Sequence, residues 1–188
     1  MFKKKLIVLS SPSGGGKSTL ANHLMTLYPE IRFSVSCTTR KIREGEVHGK
    51  DYFFLSKEEF EEKIANGEFA EYEQIFGNYY GTLKSEIKKH INSGNSILFD
   101  VDVKGGLSLK NYFKEKALAV FVKVPDLKVL EERLNDRGTE SKNSLSQRLF
   151  KARFEMGFED KFDVTLVNEN LEKSLRKAEE LCSSFINS

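Results

Sequence analysis

Cysteine is scarce in this chain, charge is nearly balanced, and no long apolar run occurs. Each absence narrows the possibilities. The two cysteines, Cys37 and Cys182, lie far apart and form no metal-ligand spacing, so they read as free thiols of a reducing compartment, the cytoplasm. Lys and Arg total 30 against 28 Asp and Glu, a net charge of +2. A nucleic-acid-binding chain is usually more basic. The basic stretch Lys3-Lys4-Lys5 is followed by an apolar segment too short for a signal-peptide core, and no run approaches a membrane span. The three histidines, His23, His48 and His90, are isolated and read as surface residues rather than catalysts or ligands. There are no repeats and no low-complexity linker.

What is present suits one α/β domain: 188 residues, 39% hydrophobic and 31% charged, enough for a substantial core. Leu6–Leu9, Ile97–Val101, Ala117–Val124 and Val164–Val167 read as buried strands. Their lack of polar alternation predicts a parallel sheet covered on both faces. Helical patterns over Ser18–Leu27, Leu83–Asn92, Gly105–Phe113, Asp126–Asp136 and Leu171–Phe185 alternate with them. Two regions break the alternation. Residues 33–82 carry short strand-like pieces (Phe33–Ser36, Asp51–Leu55, Phe69–Ile75), a helix over Lys57–Asn66 and a turn at Gly77-Asn78-Tyr79-Tyr80-Gly81. Residues 138–160 are polar and helical and read as a flap.

The sequence Ser11-Pro-Ser-Gly-Gly-Gly-Lys-Ser-Thr19 follows directly on the first strand. Strand, glycine loop, Lys-Ser and helix together build a cradle for nucleotide phosphates. Backbone N–H groups close on phosphate oxygens, Lys17 reaches the β- and γ-phosphates, and the Ser18 hydroxyl can ligate Mg²⁺. The alternative is a flexible turn that happens to contain this string. The strand Ile97-Leu98-Phe99 ends in Asp100-Val101-Asp102, whose two carboxylates share one face. One can sit near Mg²⁺, directly or through water, and the other can accept from a substrate donor; both could instead be caps. Arg40 and Arg43 lie in a hydroxyl-rich loop and suit a second phosphate, because guanidinium binds phosphate bidentately. Tyr52 and the 77–81 turn add phenols. Arg133 and Arg137 share a helix face. With Arg148 they suit a moving phosphoryl group, or they serve as surface ion pairs.

With those residues assembled, the chain resembles guanylate kinases nearly end to end. The resemblance rests on SVSCTTR (34–40), REGEVHGKDYFF (43–54), FGNYYGT (76–82), FDVDVKG (99–105), DRGTE (136–140) and LVNEN (166–170). It implies a P-loop α/β fold: a parallel five-stranded core sheet flanked by helices (1–32, 83–125 and 161–188), an inserted mixed α/β GMP-binding subdomain (33–82) and a helical lid (126–160). It implies an ATP site of Ser13, Gly14, Gly15, Gly16, Lys17, Ser18 and Thr19, with Asn168 beside the adenine. Arg40, Arg43, Tyr52 and Tyr80 would hold the GMP phosphate, and Ser36, Glu71, Thr82 and Asp100 would meet guanine. Asp102 would sit near the metal with Ser18, and Lys17, Arg133, Arg137 and Arg148 would act on the transferring group. The implied reaction is Mg²⁺-dependent transfer from ATP to GMP, with dGMP also accepted, by a monomer or homodimer that binds neither nucleic acid nor membrane. The sequence departs from the family pattern at Ser11, Ile42 and Thr82. Rival readings are a non-catalytic binding module, a kinase for another nucleoside monophosphate, and a nucleic-acid binder.

Overall fold

The computed structural model describes residues 5–136 and 142–187. Along the chain run β1 (Leu6–Ser10), α1 (Lys17–Leu27), β2 (Ile31–Phe33), β3 (Cys37–Thr38), β4 (Phe53–Phe54), α2 (Lys57–Ala65), β5 (Phe69–Ile75), β6 (Asn78–Leu83) and α3 (Lys84–Asn92). Then come β7 (Ser96–Val101), α4 (Val103–Phe113), β8 (Ala117–Lys123), α5 (Leu127–Asp136), α6 (Lys142–Met156), β9 (Val164–Val167) and α7 (Leu171–Asn187). Five strands form a sheet in the order β2-β7-β1-β8-β9, and every pairing in it is parallel.

The apolar runs produce this arrangement because both faces of the sheet must be covered. Ile7 and Leu9 point to one face and pack with Leu20 and Leu24 of α1 and Ala178 and Cys182 of α7. Leu6 and Val8 point to the other and meet Phe99, Leu109 and Ala119. Successive strand side chains alternate faces, so a strand covered on both sides must be apolar throughout. Both cysteines are free and buried, and burial pushes each thiol up to about 12, which leaves them inert. Among the described residues no helix is long and apolar enough to cross a membrane.

A second, mixed sheet has the order β4-β3-β6-β5. Phe60 of α2 is fully buried beneath it, stacked on Phe69 at 4.3 Å and Tyr79 at 5.1 Å between ring centroids. Helix α2 starts on a capping box, with Ser56 accepting from the Glu59 N–H and Glu59 accepting from the Ser56 N–H, which holds Phe60 at a fixed height.

Two expectations change here. The piece expected as a strand at Phe33–Ser36 divides: Ile31–Phe33 joins the parallel sheet beside β7, and the second sheet resumes at Cys37. The expected turn at residues 77–81 is instead most of strand β6, hydrogen-bonded to β5. The reversal lies one step earlier, at Phe76 and Gly77, which have φ of +49° and +81°, as a two-residue hairpin matched to strand twist requires.

Phe60→Ala should cost about 3–5 kcal/mol of stability, the range for truncating a buried aromatic. Urea unfolding followed by far-UV circular dichroism measures it.

Candidate active site

The glycine loop connects β1 to α1 and wraps over the end of β1. Gly16 caps α1 at φ +91°, and a Cβ there would lie 2.3 Å from the Asn168 amide. Only glycine satisfies both constraints. Asn168 itself is buried, and its amide donates to the Gly15 carbonyl at 2.9 Å. The first turn of α1 has neither a side-chain cap nor an acidic residue. Its positive end and free N–H groups therefore remain available to an anion. Lys17 Nζ lies 3.4 Å from Ser11 Oγ and 3.6 Å from Asp100. Ser11 is buried and its hydroxyl donates to the Pro12 carbonyl at 2.9 Å, so this departure tightens the loop and leaves Lys17 in place.

One cavity of about 360 Å³ runs from this loop to the second sheet. Lys17, Ser18, Asp100 and Asp102 line it from the core; Ser36, Arg40, Arg43, Tyr52, Glu71 and Tyr80 line it from the inserted region; Ser13 and Arg148 also reach it. The two aspartates divide in a definite way. Asp100 accepts from the Ser18 hydroxyl at 2.7 Å and faces Lys17. Asp102 caps α4 through the Gly105 N–H at 2.8 Å and pairs with Lys151 at 3.1 Å. Gly105 keeps this corner open, since a Cβ on it would come 2.8 Å from Glu71 and 3.0 Å from Asp102.

Arg40 is clamped by both oxygens of Glu46, at 3.0 and 2.7 Å, and its guanidinium lies 5.4 Å from the centre of the Tyr52 ring. Glu46 also accepts from the Arg43 N–H at 2.8 Å. The hydrogen bond from Arg40 holds the Glu46 carboxyl below its usual range. A loop with Ile42 between its arginines is thus braced by one carboxylate. Tyr52 is pushed up to about 12, first by burial and then by the Asp100 charge, so its phenol keeps its proton as a donor.

Glu71 is buried and accepts from the Thr82 hydroxyl at 2.6 Å. Burial is the main cause that pushes its carboxyl up to about 7, against the Thr82 hydrogen bond. Thr82 occupies its departure position with the hydroxyl in use.

Other expected residues fall differently. Thr19 is exposed on α1 beside Ser18. Arg148 donates to Ser13 Oγ at 3.0 Å and lies 5.8 Å from the Phe76 ring. Arg133 donates to the Asn168 carbonyl at 2.9 Å and does not line the cavity. Asn168 also stays behind the loop. Arg137 lies outside the described residues. Sequence reasoning missed Glu46, Glu73, Phe76, Lys151 and Glu155, which line the cavity too. Glu73 was within reach, since it lies two residues from Glu71 on a strand and shares its face. Lys151 was also within reach, lying three residues beyond Arg148 on a helix.

Ligand-free protein should lose stability as pH rises from the ordinary glutamate value of 4.5 to about 7. Across that window the folded state holds a proton on Glu71 that the unfolded chain has released. Glu71→Gln should reduce this slope, leaving the part that Glu73, also pushed up to about 7, contributes, as urea midpoints measured at intervals across the window would show.

The comparisons with known proteins agree with one another. The family model described as guanylate kinase matches residues 3–185. A guanylate kinase of Chlorobium luteolum is 47% identical over 182 residues, covering 97% of this chain and 92% of its own length. One of Bacteroides thetaiotaomicron is 44% identical, covering 97% and 90%. The crystal structure of guanylate kinase from Anaplasma phagocytophilum superposes with a TM-score of 0.78 at 31% identity, covering all of this chain and 89% of that one.

Proposed function

The chain belongs to the guanylate kinase family, and on that premise we propose that it transfers the γ-phosphoryl group of ATP to GMP, giving ADP and GDP. The carrying observation is that one cavity joins the glycine loop, with Lys17 and Ser18, to a buried glutamate, Glu71, past the two arginines Arg40 and Arg43. The loop suits the phosphates of the donor, the arginines suit the phosphate of the acceptor, and Glu71 suits its base. Guanine presents N1–H and an exocyclic amine side by side, and a carboxylate accepts from both. Adenine would leave the buried carboxylate facing an acceptor, a mismatch that can discriminate by about 10⁴-fold.

The geometry favours a different division of the aspartates from the one the resemblance implies. We assign Asp100 to the metal side and Asp102 to the base side. Ser18 Oγ and the Asp100 carboxylate stand 2.7 Å apart beside Lys17, and a hydroxyl and a carboxylate are hard oxygen donors of the kind Mg²⁺ takes together with substrate phosphates. The ion would offset charge on the β- and γ-phosphates when bound. Asp102 stands with Glu71 around Gly105, where a donor on the base can meet it.

The acceptor's phosphate oxygen is already a nucleophile, so neither a general base nor a covalent enzyme intermediate is required. The residues act by position and charge. Lys17 holds the donor phosphates, and Arg40 and Arg43 hold the acceptor phosphate with the phenol hydroxyls of Tyr52 and Tyr80. Occupying that site requires Arg40 to turn from Glu46 to the phosphate. Arg148, hydrogen-bonded to Ser13 of the loop, stands where it can stabilise the moving group. Closure of 33–82 and 126–160 over the core would exclude water. We assign Arg133 and Asn168 to bracing the loop, since the arginine holds the Asn168 carbonyl and the asparagine holds Gly15. Buried free thiols fit a cytoplasmic setting.

A coupled assay for ADP with Mg-ATP should show turnover with GMP and dGMP and none with AMP, CMP, UMP or dTMP. Lys17→Ala should lower kcat/KM by several orders of magnitude, about 10³-fold or more, and near wild-type activity would sink the assignment. Asp100→Asn should raise the Mg²⁺ concentration needed for half-maximal rate, whereas Asp102→Asn should mainly raise KM for GMP; the reverse pattern would restore the other division of roles.

A further inference from the structure

Glu73, Asp102, Lys151 and Glu155 meet on one wall of the cavity, and the reaction as described uses only Asp102. They come from three places: Glu73 from β5, Asp102 from the N-cap of α4, and Lys151 and Glu155 from α6. On α6, residues 148, 151 and 155 fall on one face, the face that also carries Arg148 to the glycine loop.

Lys151 is the hub. Its Nζ lies 3.1 Å from Asp102 Oδ2 and 3.1 Å from Glu155 Oε1. The contact with Glu155 is an ion pair without hydrogen-bond alignment, since that oxygen is buried and lacks a hydrogen-bond partner. Glu155 is only 3% exposed. Burial, and after it the neighbouring Asp102 carboxyl, pushes the Glu73 carboxyl up to about 7, and one Glu73 oxygen is buried without a hydrogen-bond partner. Burial opposes the charge on Asp102, but Glu73, Lys151 and the Gly105 N–H together hold its carboxyl low. Glu71 adds a further carboxyl beside Asp102. On the cationic side, Lys104 reaches Glu73 at 3.1 Å from the solvent edge, with 55% of its own side chain exposed. Lys17 acts on Glu155 from farther off. Among the described residues, Lys151, 22% exposed, is therefore the cation that stands among the acids. A buried carboxylate deprived of its partner is strongly destabilised.

We propose that Lys151 is a positioning residue of the acceptor site: from α6 it fixes the Asp102 carboxylate and offsets Glu73 and Glu155, so that the guanine-facing wall takes its form only with α6 docked. This inference rests on the reading of the cavity as a GMP site. It makes base recognition depend on a helix that belongs to neither the glycine loop nor the second sheet.

The test is calorimetric titration of GMP without ATP, and of a non-hydrolysable ATP analogue with Mg²⁺, into wild type, Lys151→Met and Lys151→Arg. Methionine keeps the stem and removes the charge. Lys151→Met should raise the Kd for GMP about tenfold or more, the scale expected when one member of a buried pair is lost, and change the Kd for the ATP analogue less than about twofold. Lys151→Arg should recover most of the GMP affinity. If Lys151→Met does not fold, the double variant Glu73→Gln, Lys151→Met, with one acid fewer, carries the same comparison. Unchanged GMP affinity, or equal weakening of both ligands, overturns the inference while leaving the kinase reading intact. Wild-type protein that neither binds nor phosphorylates GMP overturns the kinase reading and this one with it.

Discussion

Parallel pairing of β1 with β7, in the register that sets Leu9 beside Asp100 and Ser10 beside Val101, is the constraint on which the site depends. It brings two strand ends to one edge of the sheet. From the first the chain turns into the glycine loop, and from the second it delivers Asp100 and then Asp102. A slip of one residue would turn both aspartates to the opposite face. The register is secured by apolar side chains on both faces of both strands, so the hydrophobic effect, spread over two cores, sets the placement of a carboxylate against a serine hydroxyl.

The rest of the cleft is a problem in charge. It must accept the phosphates of two nucleotides and also hold the donor edge of a base, so cations and carboxylates share one cavity. The structure separates them. Cations gather at the loop and at residues 40–43, and carboxylates gather around Gly105. Where the two overlap, each charge has a companion: Glu46 for Arg40, Asp100 for Lys17 and Lys151 for Asp102. Such partners keep charges from being stranded in a partly desolvated cleft. Glu46 also gives Arg40 a defined place before any phosphate arrives, a pairing that an incoming phosphate has to displace.

Much of the sheet was legible because its signals are local. The apolar runs at Leu6, Ile97, Ala117 and Val164 are continuous, and a sheet covered on both faces requires that pattern. The string Gly16-Lys17-Ser18 after a strand carries its chemistry in adjacent residues. The strands of the second sheet were harder to read. Gly77-Asn78-Tyr79-Tyr80-Gly81 looks like a turn because a Gly-Asn pair opens it and a glycine closes it. In the fold, Gly81 is a strand residue of β6 paired with β5, and glycine is needed there because a Cβ would come 2.9 Å from the Glu71 carbonyl and the Phe69 ring; no local pattern announces a neighbour ten residues away.

The division between what sequence and tertiary structure decided follows from the range of the forces involved. Sequence alone determined the parallel α/β class, the phosphate loop, the arginine pair and, through resemblance, the family, because periodicity and short-range stereochemistry are written in consecutive residues. Only the tertiary structure decided which of Asp100 and Asp102 meets Ser18, that Arg133 and Asn168 brace the loop from behind, and that Lys151 stands among three carboxyl groups. Those outcomes depend on the approach of segments separated by tens of residues. Their geometry is set by strand register and helix docking, and electrostatics then acts on whatever groups that packing has brought within reach.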